Sequence, residues 1–242
     1  MRKIAFISAL LLLLAFALSA CAGPDSLQPD EVGEVDPELD YVVGPSLSYQ
    51  SARTDGDGNS FAAFEMSVPH EIYDVFHGGA ALAVSDDLMA FAEKESAVWQ
   101  DEQAALRQQD PELESEFTLD MTLFYNDDEI VAVIGSGYSY VSGAAHPNVY
   151  SYGFVYDAES GERIAIEQLV GADWQDRLFP AIYAQIKSDG ALEAYFQPLD
   201  TLLPDAFRED GWYADADNVY VVYNAATVAP YAAGTPVFTV PR

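Results

Sequence analysis

The sequence predicts an α+β fold in which antiparallel β-sheets are each packed with a long helix, arranged as two consecutive subdomains. Three observations carry this reading. Segments of strict apolar/polar alternation come in adjacent pairs separated by Asp-, Asn- and Gly-rich turns, as in hairpins. Two segments, from Leu88 to Leu106 and from Trp174 to Ile186, place apolar residues at helical spacing instead. The resulting order is strands, helix, strands, helix, strands. It lacks the regular β-α alternation that a doubly wound parallel sheet requires.

The first 45 residues stand apart. Met1-Arg2-Lys3, an apolar run from Ile4 to Leu18, and Leu18-Ser19-Ala20-Cys21 have the layout of a bacterial lipoprotein signal peptide over residues 1–20. Cys21 is then the residue to be acylated, and more than one acyl chain makes a stable membrane anchor. Ala22 at the following position lacks the aspartate that retains lipoproteins in the inner membrane. The expected location is therefore the cell envelope, at an outer membrane facing the periplasm where the cell has one. Residues 21–45 hold seven acidic residues and no basic one, the composition of an extended, self-repelling tether.

The elements follow in order. Leu47 to Arg53 and Phe61 to Val68 form a hairpin, with Ala62, Phe64, Met66 and Val68 on one face and Thr54–Asn59 as its turn. Asp55, Asp57 and Asn59 imitate the first half of an EF-type calcium loop. The second half is absent, since Ser60 replaces the turn glycine and Met66 the bidentate glutamate. His70, Glu71, Asp74 and His77 invite a metal reading, but the histidines are seven apart rather than four and Gly78-Gly79 follows at once. Ser85-Asp86-Asp87 reads as a helix start, and Leu88, Phe91, Ala92 and Trp99 as its buried face up to Asp110-Pro111. Residues 46–112 thus form a hairpin-plus-helix subdomain.

The second subdomain spans 113–242. Phe117 to Tyr125 alternates cleanly, Asn126–Glu129 turns, and Ile130 to Val141 returns, with Gly135 and Gly137 as close-approach positions. A loop from Ser142 to Pro147 leads to a strand from Asn148 to Tyr156. Asp157–Gly161 turns into a short strand from Glu162 to Ile166. The helix around Trp174, Leu178, Ile182 and Ile186 contains Pro180, which implies a kink or late start. Strands at Asn218–Tyr223 and Val237–Val240 close the fold around the turn that carries Val228–Tyr231 and Gly234.

Composition limits the chemistry. Cys21 is the sole cysteine, so disulfides, cysteine–metal sites and thiol catalysis are excluded beyond it. Formal charge is −30; the ten basic residues include Arg2 and Lys3, leaving eight against 40 acidic ones. Such a field repels nucleic acid and attracts cationic partners, although solubility in a salty habitat gives the same composition. Gly-x-Ser-x-Gly, HExxH and Cys/His arrangements are absent, and no cofactor is expected.

The candidate site is the stretch Tyr138 to Asn148 and its flanks. Tyr138 and Tyr140 precede the loop; Tyr150, Tyr152, Phe154 and Tyr156 follow it, all of one parity. With Gly143, His146 and Asn148 they make a binding surface of Tyr138, Tyr140, Gly143, His146, Asn148, Tyr150 and Tyr152. The same alternation also suits the core face of a half-buried sheet, and His146 also suits a loop-bracing role.

This order resembles the extracytoplasmic module shared by peptidoglycan deacetylases of the PdaC type and lysozyme-sensing anti-sigma factors of the RsiV type. The resemblance rests on Tyr138-Ser-Tyr140, Gly143-Ala-Ala-His146-Pro147, Ser160–Leu169 and Ala229-Pro-Tyr-Ala-Ala-Gly234, and covers about Leu47 to Arg242. It implies the module alone. The deacetylase domain and the cytoplasmic sigma-binding part have no counterpart expected here, so neither deacetylation nor sigma regulation carries over. In the anti-sigma relatives this module binds lysozyme, and here tyrosine rings that can stack on sugars and acids that can steer a basic partner make the expected protein a lipid-anchored envelope module that binds a cell-wall glycan or a cationic protein such as lysozyme. Two alternatives stand beside it: a polysaccharide-modifying enzyme pairing His146 with Asp157 or Glu167, and a structural lipoprotein without ligand.

Overall fold

The computed structural model describes residues 47–242. The leader, Cys21 and the acidic tether lie outside the described residues. The described part is α+β, with one five-stranded sheet, one three-stranded antiparallel sheet and several helices.

Strands β1 (Leu47–Thr54) and β2 (Ser60–Val68) form the expected hairpin. Asp55 shapes its tip: Oδ1 accepts from the Asp57 and Asn59 amides at 3.0 and 2.9 Å. The one-turn helix α1 (Glu71–Asp74) follows, and His70 Nδ1 lies 2.8 Å from Asp74 Oδ2. Asp55 thus braces the hairpin turn, and His70 pairs with Asp74 along the one-turn helix.

Helix α2 (Ala80–Arg107) begins five residues before the expected Ser85. The reason is tertiary. Ala80, Ala81 and Val84 are buried, and the Ala80 carbonyl abuts the turn at Gly161, where an added Cβ would lie 2.3 Å from it. Packing of that first turn outweighs the cap-like sequence further on.

Strands β3 (Ser115–Asn126), β4 (Ile130–Val141) and β5 (Asn148–Asp157) complete the first sheet in the order β1-β2-β3-β4-β5. All neighbours are antiparallel except β2 and β3, which run parallel, with Phe64 opposite Phe117. This one departure from an antiparallel sheet follows from α2. A helix of 28 residues carries the chain back along the sheet, so β3 enters in the direction of β2. Residues 46–112 and 113–242 therefore contribute strands to one sheet, joined across the expected boundary.

The remainder comprises α3 (Ile166–Val170), α4 (Trp174–Ser188), α5 (Leu199–Asp205), and a sheet of β6 (Trp212–Ala214), β7 (Asn218–Val222) and β8 (Val237–Pro241). The expected strand at Glu162–Ile166 is reduced to a single bridge between Arg163 and Tyr156, after which the chain enters α3.

Two cores flank the first sheet. On one face, Phe64, Met66, Phe117, Leu119, Val131, Val133 and Phe154 pack against Leu88, Ala92 and Trp99 of α2. On the other, Ile130, Ala132 and Val155 pack against Leu178, Ile182 and Ile186 of α4 and against Trp212, Val219 and Val221 of the small sheet. The first four residues of β4 are buried on both sides, which accounts for the unbroken apolar run Ile130-Val-Ala-Val133. Toward Val141 the second face is uncovered: Ser136 and Tyr138 are exposed there.

Candidate functional site

The six aromatics around the loop do not share a face. In the β4–β5 register Val131 faces Tyr156, Val133 faces Phe154, Gly135 faces Tyr152 and Gly137 faces Tyr150. Each pair joins an odd to an even number, so equal parity on the two strands means opposite faces. Tyr150, Tyr152, Phe154 and Tyr156 point toward α2, whereas Tyr138 and Tyr140 occupy the uncovered second face.

The tyrosines toward α2 are core residues. Tyr152 is 2% exposed and its hydroxyl donates to Glu95 Oε1 at 2.6 Å; that of Tyr156 donates to Asp87 Oδ2 at 2.9 Å. Burial, ahead of the Glu95 charge, pushes the Tyr152 phenol far up; burial also raises Tyr156. Tyr150 is half-buried, its ring 5.2 Å from Phe117. Gly135 and Gly137 are indeed close-approach positions. A Cβ on Gly137 would lie 3.1 Å from Tyr150 Cβ and from Phe117 Cζ.

Tyr138 is 42% exposed and Tyr140 half-buried. Tyr140 pairs across β3–β4 with Glu116, which pairs with Ala63 of β2; Tyr138 pairs with Thr118, which pairs with Glu65. The open face thus carries Glu65, Glu116 and Asp120 beside two tyrosine rings, and none of the strand residues on it is Lys or Arg. A groove of about 350 Å³ runs along its edge, lined by Phe61, Glu114, Glu116, Tyr140 and Ser142.

The loop is anchored at both ends. The Ser142 amide donates to the Glu114 carbonyl at 2.8 Å, and the Glu114 amide to Ser142 Oγ at 3.0 Å. Gly143 has φ +83°, a conformation glycine adopts without strain. At the far end His146 stacks on Tyr231, with ring centroids 4.0 Å apart and planes at 23°. The Tyr231 hydroxyl donates to the Pro147 carbonyl at 2.6 Å, and His146 Nδ1 lies 3.0 Å from the same oxygen. The Gly143–Pro147 loop and the Ala229–Gly234 turn, 84 residues apart between Pro147 and Tyr231, are thus one structural unit. His146 and Asn148 remain exposed.

The structure does not unite His146 with either expected acidic partner. Asp157 closes the other end of the ten-residue β5, about 30 Å away at strand rise. Its carboxylate caps its own turn, accepting from the Ser160 amide and hydroxyl, both at 2.8 Å, which lowers its pKa. Glu167 lines a hollow with Arg163, whose backbone bridges Tyr156 at that same end of β5.

That hollow escaped the sequence reading. It brings together Arg163, Trp174, Phe207 and Trp212, and Arg163 and Glu209 are shared with an adjoining hollow lined by Lys94 and Arg208. The available signal was scarcity: with so few basic residues, each one is informative about where negative charge is tolerated.

The molecule defined by these features is an α+β domain with an anchored β-hairpin loop beside an open acidic sheet face. Residues 168–242 match a family described as "Protein of unknown function (DUF3298)". The matched segment contains α4, α5, the small sheet and the Tyr231 turn, and stops short of the loop that turn holds. A solved DUF3298 family protein from Bacteroides fragilis NCTC 9343 has 12% identity and a TM-score of 0.43 over 81% of this chain and 88% of its own. Another, from Pseudomonas aeruginosa PAO1, has 14% identity and a TM-score of 0.46 over 82% of this chain and 92% of its own. No curated protein matches the chain. The family match is consistent with the PdaC/RsiV-type extracytoplasmic module, whose function is unassigned.

Proposed function

We propose that this protein is a cell-envelope binding module, tethered to a membrane by acyl chains on Cys21, whose ligand is a cationic protein of the lysozyme kind. The observation that carries the reading is the open sheet face. Glu65, Glu116 and Asp120 lie beside Tyr138 and Tyr140, and Glu114 and Ser142 line the adjoining groove. Carboxylates interleaved with tyrosine rings accept Lys and Arg side chains both as counter-charges and as cation–π partners. The net charge of −30 steers a basic protein toward any face of the molecule, and since none of the strand residues on this face is Lys or Arg, the sheet itself offers no local repulsion there. The loop held by Tyr231 supplies a rim that needs little ordering on binding.

Titration of the full chain with hen lysozyme by calorimetry tests this. Binding is expected at about 20 mM salt and should weaken steeply toward about 500 mM. Tyr140→Ala and Glu116→Gln should each lower affinity about tenfold, while Glu193→Gln on the remote short 3-10 turn should not. No binding at low salt, or binding indifferent to both face variants, refutes the assignment. Retention of tritiated palmitate by the wild type and its loss in Cys21→Ser tests the anchor separately.

A further inference from the structure

A second site lies at the opposite end of β5. Its first half is a hollow of about 460 Å³ lined by Arg163, Glu167, Trp174, Gln175, Phe207 and Trp212. Its second half, about 470 Å³, is lined by Lys94, Arg163 and Arg208 and by three acids, Asp87, Glu209 and Asp210. Both volumes fall in the range of small-molecule sites. The halves adjoin at Arg163 and Glu209, which line both; together they make a trough with an aromatic end and a cationic end, where the three basic residues stand among three acids.

We infer that this trough is a binding site for a saccharide that carries a carboxylate, with the sugar ring in the aromatic half and the carboxylate in the cationic half. The aromatic half offers what a pyranose requires. Trp174 is half-buried, with its ring 4.9 Å from Phe207, so it presents a rigid apolar wall to the C–H face of a sugar. Gln175, Glu167 and Glu209 beside it are exposed polar groups suited to hydroxyls.

The cationic half is the more telling. Only eight basic residues follow Lys3, against 40 acidic ones, yet three of the eight line this one hollow. Two of them are held in fixed positions. The Arg163 Nε and Nη2 groups both donate to Asp87 Oδ2, at 2.9 and 2.5 Å, and its guanidinium lies 4.5 Å over the Phe154 ring. Arg208 donates from Nε to Asp210 at 2.7 Å and from Nη2 to the Ser151 carbonyl at 2.8 Å, and lies 5.1 Å over Tyr152. Such guanidiniums are pre-ordered donors that lose little freedom on binding a carboxylate. The third, Lys94, makes no ion pair within 4.0 Å among the described residues, in a chain where acids outnumber bases fourfold. A ligand carboxylate supplies the counter-charge that Lys94 lacks.

The test uses the full chain in a detergent without a sugar headgroup. The probes are N,N′-diacetylchitobiose and the disaccharide of N-acetylglucosamine and N-acetylmuramic acid, which adds a lactyl carboxylate. Tryptophan emission and calorimetry report binding. The carboxylated disaccharide is expected to bind about tenfold more tightly than the neutral one. Lys94→Gln alters an exposed side chain with no ion pair, so the fold is retained; it should abolish that preference and leave the neutral affinity unchanged. Trp174→Phe should weaken both sugars, and Tyr140→Ala neither, which separates this site from the lysozyme face. Equal affinity for the two probes, no binding of either at about 10 mM, or a preference that survives Lys94→Gln overturns the inference.

Discussion

At Gly153 of β5 the backbone of the small sheet leaves no room for a side chain, and replacing it with alanine tests how the two sheets are joined. A Cβ built there would lie 2.0 Å from the Trp212 carbonyl oxygen, 2.4 Å from its carbon and 3.0 Å from the Tyr213 nitrogen. Ordinary contact begins near 3.4 Å, so β5 and β6 must separate by about 1.4 Å, and the obstacle is backbone rather than a mobile side-chain tip. Separation also strains the bond from the Gly153 amide to the Asp210 carbonyl, now 2.8 Å, and opens the core around Val155 and Trp212. Overpacking costs ~1–3 kcal/mol and a lost backbone hydrogen bond ~1 kcal/mol, so Gly153→Ala should destabilise by about 2–4 kcal/mol. Gly137→Ala is the control: its Cβ meets Phe117 Cζ and Tyr150 Cβ at 3.1 Å, so a shift of a few tenths of an ångström relieves it. Urea denaturation followed by tyrosine and tryptophan emission gives both values. A loss below ~1 kcal/mol for Gly153→Ala, or a larger loss for Gly137→Ala, would refute backbone contact as the joint between the sheets.

Three further outcomes follow from the geometry. Tyr156→Phe removes a buried hydroxyl bonded to Asp87 and should cost ~1–2 kcal/mol in the same urea assay, since Arg163 still partners the carboxylate. Tyr231→Phe deletes the donor to the Pro147 carbonyl; faster amide hydrogen exchange is expected in the Ser142–Asn148 segment, with exchange in β2 unchanged. Asp157 has a folded-state pKa below its ordinary value because Ser160 donates to it twice. Its contribution is therefore fully present above the ordinary aspartate value of ~3.9 and is lost as pH falls through the lower folded value, so Asp157→Asn should flatten the stability–pH curve below about pH 4.

Most strands were legible because alternation is a local property. Phe117 to Tyr125 and Phe61 to Val68 show their buried face in the sequence itself, and the structure keeps both. The parallel pairing of β2 with β3 was not legible, because it depends on where α2 delivers the chain. The start of α2 was missed for a related reason: Ser85-Asp86-Asp87 has good cap chemistry, but Ala80 is fixed by the Gly161 turn, more than 70 residues away in sequence. The candidate site suffered from a register error of the same origin. Tyr138, Tyr140, Tyr150 and Tyr152 have one parity, yet the β4–β5 ladder pairs odd with even, so two of them belong to the open face and two pack toward α2. The loop length that sets this register can be counted only once the strand ends are known. Conversely, the contact of His146 with Tyr231 links two motifs that the sequence had singled out separately.

The way α2 lies on β5 explains why the cationic trough exists at all. Asp87 holds Tyr156, Phe91 meets Phe154 at 4.9 Å, and Glu95 holds Tyr152. Each step of four residues along the helix matches a step of two back along the strand. Four helical residues rise about 6 Å and two strand residues about 6.7 Å, so the two elements stay in step over three rungs, running antiparallel. The acid rungs carry out two tasks at once. Inward, Asp87 and Glu95 satisfy tyrosine hydroxyls at the edge of the core. Outward, Asp87 fixes Arg163, while Arg208 lies over the Tyr152 ring that Glu95 holds. A chain so rich in acid can gather three cations in one hollow because the helix presents carboxylates at the spacing of the strand. Moving one rung tests this coupling. Glu95→Gln keeps an acceptor for Tyr152 but removes a charge close to Arg208, so stability should change by less than ~1 kcal/mol while affinity for the carboxylated disaccharide rises. A fall in that affinity would mean that Glu95 positions the cationic half through Tyr152 rather than merely offsetting its charge.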